Sequence, residues 1–432
     1  MHLLLNILYL GLIVAVSPYL VWAAFFHGKY REGFAAKFLG KVKIRQGDKT
    51  CIWLHAVSVG EVNLLQTLID QLRVQYSDVE FYITTTTKTG HTLACKKYSD
   101  CTVDYCPLDF SWAVNNAYRR IRPNMVILAE LELWPNLIRS AHQFDATICV
   151  VNGRLSEKSF RGYQRLSFLM RPLLQQLDLI AVQDPVYAER FQNLGAKNVE
   201  VTGSLKFDGA ETSRNNPFTV KLKKLAQLSD TDVVFLAGST QSGEEEAALE
   251  TFSALTQQHP ELRLILVPRH PERFDEVAQL LDQSPHAWQR RSNLEADGPD
   301  LNSKILLVDT IGELGAWWGT AQIAFVGGSL GTRGGQNMIE PSAYGGAVCF
   351  GPKTRNFRDV VQLLLSHDAA VVVQDSNELK VFVENCLESV RFRQDLGNKA
   401  AQIVLTQLGA TKKTVDLLQK HLPMRDLSRK AA

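Results

Sequence analysis

Two kinds of hydrophobic pattern alternate along the chain. Short continuous apolar runs, such as CIWLHAV (51–57), are followed by stretches like EVNLLQTLIDQL, whose apolar positions return every three or four residues. The first kind predicts strands buried on both faces and the second amphipathic helices. Strands are expected at 51–57, 79–87, 103–108, 124–130, 147–154, 177–184 and 199–205. Helices are expected to about residue 75, near 89–97 and over 185–195. A polar stretch, DGAETSRNNPFT (208–219), reads as a linker. The pattern then restarts, with strands at 233–240, 262–270, 304–310, 322–329, 347–352 and 370–375. Helices are expected near 244–258 and 271–283, through 377–408 and over 411–421. This alternation predicts parallel sheets covered by helices. No sequence repeat is visible, yet the elements are duplicated. The expected architecture is two α/β domains, 29–212 and 213–408, facing a cleft, with a helix and tail at 409–432 packing back on the first domain. Ligands bind such folds near the C-terminal ends of the strands.

Residues 3–26 break the pattern. LLLNILYLGLIVAVSPYLVWAAFF carries no charge and is long enough to cross a bilayer. An N-terminal membrane anchor helix over 1–28 is therefore expected. Lys29, Arg31, Lys37, Lys41, Lys43 and Arg45 follow it and would hold the main body in the cytoplasm.

Composition narrows the classes. The chain has 432 residues, 45% hydrophobic and 21% charged, with a net charge of +2. It is globular and lacks the basic excess of a nucleic-acid binder. Seven cysteines without paired CxxC spacing imply a reducing compartment and no structural zinc.

Chemistry-bearing residues concentrate at the predicted strand ends. Glu61, in SVGEV, lies where the first strand passes into a helix. It reads equally as a helix start and as a base. Ser58 and Gly60 form the turn before it. Glu130 and Glu132 close another strand in LAELELWPN. Arg154 lies in VNGRLSEKS and Lys206 in VTGSLKFD. Further on come Ser239 and Thr240 in LAGSTQSGEEE, Arg269 and His270 in VPRHPERF, and Gly312 and Glu313 in DTIGEL. The last group is GGSLGTRGGQNMIEP (327–341), which contains Gly328. The glycine-rich segment lacks Walker or dinucleotide spacing, although glycine lets a backbone approach a ligand closely. Arg269 suits a phosphate or carboxylate. LAGSTQSGEEE fits a capped helix start as well as an anion site.

Taken together, SVGEV, TTTTKTG, ELELWPN, NGRLSEKS, GSLKFD, PRHPERF, DTIGEL and GGQNMIEPSAYG resemble, in this order, the 3-deoxy-D-manno-octulosonic acid (Kdo) transferases of lipopolysaccharide synthesis. The resemblance covers nearly the whole chain. It implies a GT-B fold of two Rossmann-like domains and inverting transfer of Kdo from CMP-Kdo to lipid IVA, with release of CMP. It also implies no cofactor, no metal in the site, and work at the cytoplasmic face of a bacterial inner membrane, in contact with its phospholipid. The first domain would take the lipid acceptor and the second the nucleotide. Residue by residue, Glu61 matches the family's general base, and Glu130 and Lys206 match transition-state stabilisers. Pro268, Arg269, Ile311, Gly312, Glu313, Asn337, Met338, Ile339 and Glu340 match donor-binding positions. Ser58, Gly60, Arg154, Ser239, Thr240 and Gly328 are further candidates. The family more often has NAR and GNLKFD where this chain has Asn152-Gly153-Arg154 and Gly203-Ser204-Leu205-Lys206.

The implied chemistry calls for a carboxylate that deprotonates a sugar hydroxyl as it attacks the anomeric C2 of Kdo. Cations must meet the charge on the leaving phosphate and on the carboxylate of Kdo. Lys206, Arg269 and the backbone donors of 327–335 are the expected sources. The competing readings are a GT-B transferase with a UDP- or GDP-sugar donor, and a non-catalytic membrane-tethered scaffold.

Overall fold

The computed structural model describes residues 2–27, 32–76 and 78–422. The chain divides into two compact units. One runs to Gly209 and takes up the chain again from Leu408; the other spans Ala210–Gln407.

The first unit is built on β1 (Thr50–His55), β2 (Val79–Thr85), β3 (Thr102–Tyr105), β4 (Met125–Ala129), β5 (Thr147–Gly153), β6 (Leu179–Val182) and β7 (Val199–Val201). They form one parallel sheet in the order β3-β2-β1-β4-β5-β6-β7. Side chains alternate faces along a strand. In β1, Cys51 and Trp53 enter one apolar layer while Ile52 and Leu54 enter the other. Both faces are thus dry, which is why these strands read as unbroken apolar runs. Burying a side chain such as Leu54 contributes about 1.5–3 kcal/mol. The returning segment forms the helix Ala410–His421, which packs on Val59–Gln75. Asp208 caps it, accepting from the N–H groups of Gly409 (2.6 Å) and Thr411.

The second unit carries β8 (Val233–Thr240), β9 (Leu262–Pro268), β10 (Trp288–Arg290), β11 (Ile305–Leu307), β12 (Ile323–Val326), β13 (Ala347–Phe350) and β14 (Val371–Val372). They too form a parallel sheet, in the order β10-β11-β9-β8-β12-β13-β14. In each unit the first strand lies centrally and the strand order reverses beside it. Each unit is Rossmann-like, and together they give a GT-B-like fold. Several elements escaped the hydrophobic pattern, β10 and the helix Pro217–Leu225 among them. β10 is only half buried, and the helix Pro217–Leu225 begins inside the stretch read as a linker. Its signal was present: Asn216 caps it and Pro217 sits at its first position. Arg214 is no linker residue either, since its guanidinium donates to the carbonyls of Tyr344, Gly319 and Ala321.

The expected membrane anchor is not found. Residues His2–His27 do form a helix, with Pro18 inside it. Yet among the described residues no helix is long and apolar enough to cross a membrane. The first turns are engaged elsewhere. The Asn6 amide donates to Ser111 Oγ (2.8 Å) and accepts from the Ser111 N–H (3.1 Å), while Tyr9 donates to Asp109 Oδ2 (2.9 Å). Those polar groups tie the first turns of the helix to the first unit. The inner-membrane location and the phospholipid contact derived from the anchor lose their basis. Of the basic residues downstream, Lys29 and Arg31 lie outside the described residues. Arg45 is buried, bonded to the Ile121 carbonyl (2.7 Å) and paired with Glu80 (3.1 Å).

Candidate active site

In the first unit the strand order reverses between β1 and β4, and the chemistry gathers at their C-terminal ends. β1 ends in the turn Ala56–Ser58, and the helix Val59–Gln75 starts with Glu61 in its first turn. Ser58 occupies the N-cap position, but its hydroxyl donates to Glu61 Oε1 (3.0 Å) instead of capping the helix. The Val57 N–H donates to Oε2 (2.8 Å). Burial pushes the Glu61 carboxyl above the usual range, against these two bonds and Arg154, and the nearby Glu130 adds to the rise. The TTTTKTG run braces the same turn. Thr87 donates its N–H (3.3 Å) and its hydroxyl (3.0 Å) to the Val57 carbonyl. Gly90 is obligatory there, since a Cβ would lie 2.9 Å from Thr87 Oγ1 and 3.3 Å from the Val57 carbonyl oxygen.

β4 ends at Ala129, and Glu130 takes a left-handed backbone (φ 57°). Its carboxylate lies 3.2 Å from Arg154 Nε and 3.5 Å from Lys206 Nζ. Three strand ends therefore converge: Glu130 after β4, Arg154 after β5 and Lys206 after β7. Asn152 holds the last two in register. It is also left-handed (φ 54°), and its Oδ1 accepts from the Leu205 N–H (3.0 Å). The Asn-Gly and Gly-Ser departures from the family pattern fall on this junction.

Glu132 was noticed in the sequence but given no role. The Trp134 indole donates to its carboxylate (2.8 Å), and Trp134 precedes a helix, Pro135–Gln143, whose first N–H groups Asp109 caps. Burial, followed by the charges of Glu61 and Glu130 and opposed by the Trp134 bond, pushes the Glu132 carboxyl up to about 7. Mutual repulsion among three carboxylates depends on their distances, which a sequence does not contain. The native state thus holds a proton that the unfolded chain releases near the ordinary value of 4.5. Stability from this group is full below that value and is lost as pH rises through about 7. Each pKa unit is worth about 1.4 kcal/mol, which solvent screening reduces. Glu132→Gln is expected to stabilise the protein by about 1–2 kcal/mol near pH 8, with most of that gain gone near pH 5. Urea unfolding at the two pH values checks this, and an equal gain at both would contradict it.

In the second unit the reversal lies between β8 and β12. Ser239, left-handed (φ 56°), and Thr240 end β8. Pro268 ends β9, and the exposed Arg269 follows, its N–H bonded to the Thr240 carbonyl (3.1 Å). Gly327 and Gly328 follow β12. A Cβ on Gly327 would lie 2.6 Å from Thr240 Cα, so only glycine lets these two strand ends meet. Ile311 is exposed and Gly312 left-handed (φ 91°), so this loop offers backbone and an apolar surface. The Glu313 carboxylate is already engaged by Arg291 (2.7 and 2.9 Å), Thr310 (2.8 Å) and Trp317 (3.2 Å). Burial acts to raise it, but these partners outweigh burial and hold it below the usual range. Asn337 donates to Glu340 (2.9 Å), whose carboxyl burial raises and the nearby Arg269 lowers. Met338 and Ile339 are core side chains.

One expectation needs correction. Within 327–335, the N–H groups of Gly328 (2.6 Å), Ser329 (2.9 Å) and Leu330 (2.9 Å) are not open to a phosphate. All three donate to the buried Glu244 carboxylate, as does Gln241 (2.8 Å). Those of Gly327 and Gly335 bond Gly238 and Gly328. Glu244 lies in the GEEE that read as helix-start acid; nothing local showed that the acid closes a loop 84 residues away.

The chain is similar to known proteins in the same sense. A family model described as 3-deoxy-D-manno-octulosonic-acid transferase matches residues 30–209. The 3-deoxy-D-manno-octulosonic acid transferase of Haemophilus influenzae is 32% identical over 424 residues, covering 96% of this chain and 95% of that protein. The Bordetella pertussis transferase of the same name is 33% identical, covering 86% and 87%. Among solved structures, a UDP-GlcNAc 2-epimerase from Neisseria meningitidis aligns with a TM-score of 0.56 at 12% identity, over 86% of this chain and all of the other, which speaks to the fold alone. With a third of its residues shared along almost its full length, the chain belongs to the 3-deoxy-D-manno-octulosonic acid transferase family.

Proposed function

We propose that Glu61 is the general base of this transferase, with Glu130, Lys206 and Arg154 setting the electrostatics around it. The chain is an inverting glycosyltransferase of the Kdo family, which moves Kdo from CMP-Kdo to lipid IVA and releases CMP. The observation that carries the assignment of roles is the joint at the end of β1. There a carboxylate is held by two hydrogen bonds and is raised in pKa beside an ion-paired Glu130. Each carboxylate oxygen accepts about two bonds. Glu61 therefore keeps a lone pair on each oxygen for an acceptor hydroxyl. As that oxygen bonds to C2 of Kdo, its proton passes to Glu61, and the C2–O bond to CMP breaks with its electron pair on the phosphate. One displacement inverts C2. Lys206 and Arg154 supply positive charge while Glu130 holds both side chains in place. The donor-matching residues follow β9, β11 and β12 in the second unit, with Arg269 exposed for an anionic group. The test is release of CMP by purified protein. It is expected only when CMP-Kdo and lipid IVA are both present; release with a UDP- or GDP-sugar donor instead would overturn the donor assignment.

A further inference from the structure

The second unit contains a cavity of about 430 Å³ that none of the donor-matching residues line. Its walls are Thr332, Gly334, Pro352, Lys353, Thr354, Arg355 and Arg358. Three exposed cations share it, and among the described residues none of the three is ion-paired. The loop that carries Lys353 and Arg355 is fixed by its backbone, and Arg358 opens the helix Arg358–Leu365. Gly351 N–H donates to the buried Ser329 Oγ (2.8 Å), Lys353 N–H to the Ser329 carbonyl (2.9 Å), and Asn356 N–H to the Gly334 carbonyl (2.9 Å). The Asn356 amide adds bonds to the carbonyls of Arg333 and Gly335 (both 3.2 Å). Gly334 is left-handed (φ 100°), and a Cβ there would lie 2.7 Å from Arg355 Cγ, so the bare backbone is what lets Arg355 lie along the loop. Ser329, the anchor of this arrangement, is itself held by Glu244.

Three like charges around one cavity repel one another unless an anion enters. Two guanidinium groups and an ammonium match the planar, multi-acceptor oxygens of a carboxylate or phosphate. We propose that this cavity is an oxyanion subsite of the transfer reaction, taking a carboxylate or phosphate group of a substrate through Lys353, Arg355 and Arg358. The proposal rests on the functional reading above, in which both substrates are anionic. CMP-Kdo carries a carboxylate and a phosphodiester, and the lipid acceptor carries two phosphates. The subsite joins the donor-matching segment directly, because Gly334 and Gly335 run into Asn337–Glu340.

The test is the Arg355→Gln, Arg358→Gln double variant of the full chain. Both positions are exposed, so its melting temperature is expected to match the wild type. Removing charged hydrogen bonds to a bound oxyanion should raise one KM by about tenfold or more with kcat nearly unchanged, and CMP affinity should fall with it only where the group held is the donor's phosphate. A rise in the KM for CMP-Kdo assigns the group to the donor. A rise for lipid IVA that disappears with a dephosphorylated acceptor assigns it to the acceptor. Changes below about twofold in both, or a rise that persists with the dephosphorylated lipid, overturn the subsite. A second readout does not need turnover. In the wild type, inorganic phosphate should protect Arg355 and Arg358 from phenylglyoxal, followed by peptide mass spectrometry. Absence of protection counts against the subsite, whereas absence of wild-type CMP release counts against the functional reading alone.

Discussion

Glu61→Gln is expected to lower the rate of transfer by about 10²–10⁴-fold, the usual contribution of a positioned general base. The substitution is nearly isosteric. A glutamine carbonyl oxygen can still accept from the Val57 N–H or the Ser58 hydroxyl, which hold the native side chain. The turn therefore stays in place and only the proton acceptor is lost. Binding of CMP, measured by calorimetry, should be unchanged, because the donor-matching residues belong to the other unit. The wild-type rate should fall on acidification at a pH above the ordinary glutamate range, since burial raises Glu61 and a base works only when deprotonated. The Glu61 charge also acts on Glu132, so the profile will report apparent values of that pair. Normal turnover by the glutamine variant would remove the base assignment. Loss of CMP binding together with turnover would instead indicate a folding defect.

Glu244→Ala is expected to cost about 3–5 kcal/mol of stability, the range found when one partner of a buried charged network is removed. The mechanism is plain in the contacts. One carboxylate satisfies four backbone donors, three of them consecutive in the glycine-rich loop, and alanine leaves these without an acceptor. Glu244→Gln should lie between, because one of its two side-chain atoms can no longer accept. Urea denaturation reads the loss. CMP affinity should fall with it, because Ser329 also anchors the 351–356 loop and Gly327 touches Thr240. A loss below about 1 kcal/mol would show that the loop does not depend on this carboxylate.

The two effects come from carboxylates that look alike in the sequence. Both stand in the first turn of a helix after a central strand, Glu61 in SVGEV and Glu244 in SGEEE. Both positions fit a helix start. What separates them is accessibility and partners. Glu61 remains partly exposed with two bonds, whereas Glu244 is buried with four. The same distinction applies to Glu313, whose motif is legible but whose carboxylate is consumed by Arg291. It applies in the opposite direction to Glu132, which the sequence offered only as a neighbour of Glu130.

The anchor at 3–26 shows where a pattern misleads. Absence of charge over 24 positions is a statement about composition, and composition does not say what covers a helix. Asn6 and Tyr9 lie inside that run, and they are the residues that bond to Ser111 and Asp109.

The sequence by itself determined the alternation of strand and helix and the placing of reactive residues at strand ends. These follow from local rules: side-chain period, turn residues, and the burial of parallel strands on both faces. Its ordered motifs also pointed to the family. Only the tertiary structure decided which charges meet. Glu130 finds Arg154 and Lys206, Glu244 closes a loop far along the chain, and Lys353, Arg355 and Arg358 share a cavity. Electrostatic energy depends on separation and burial, and both are set by strand order in the sheet, which no local pattern encodes.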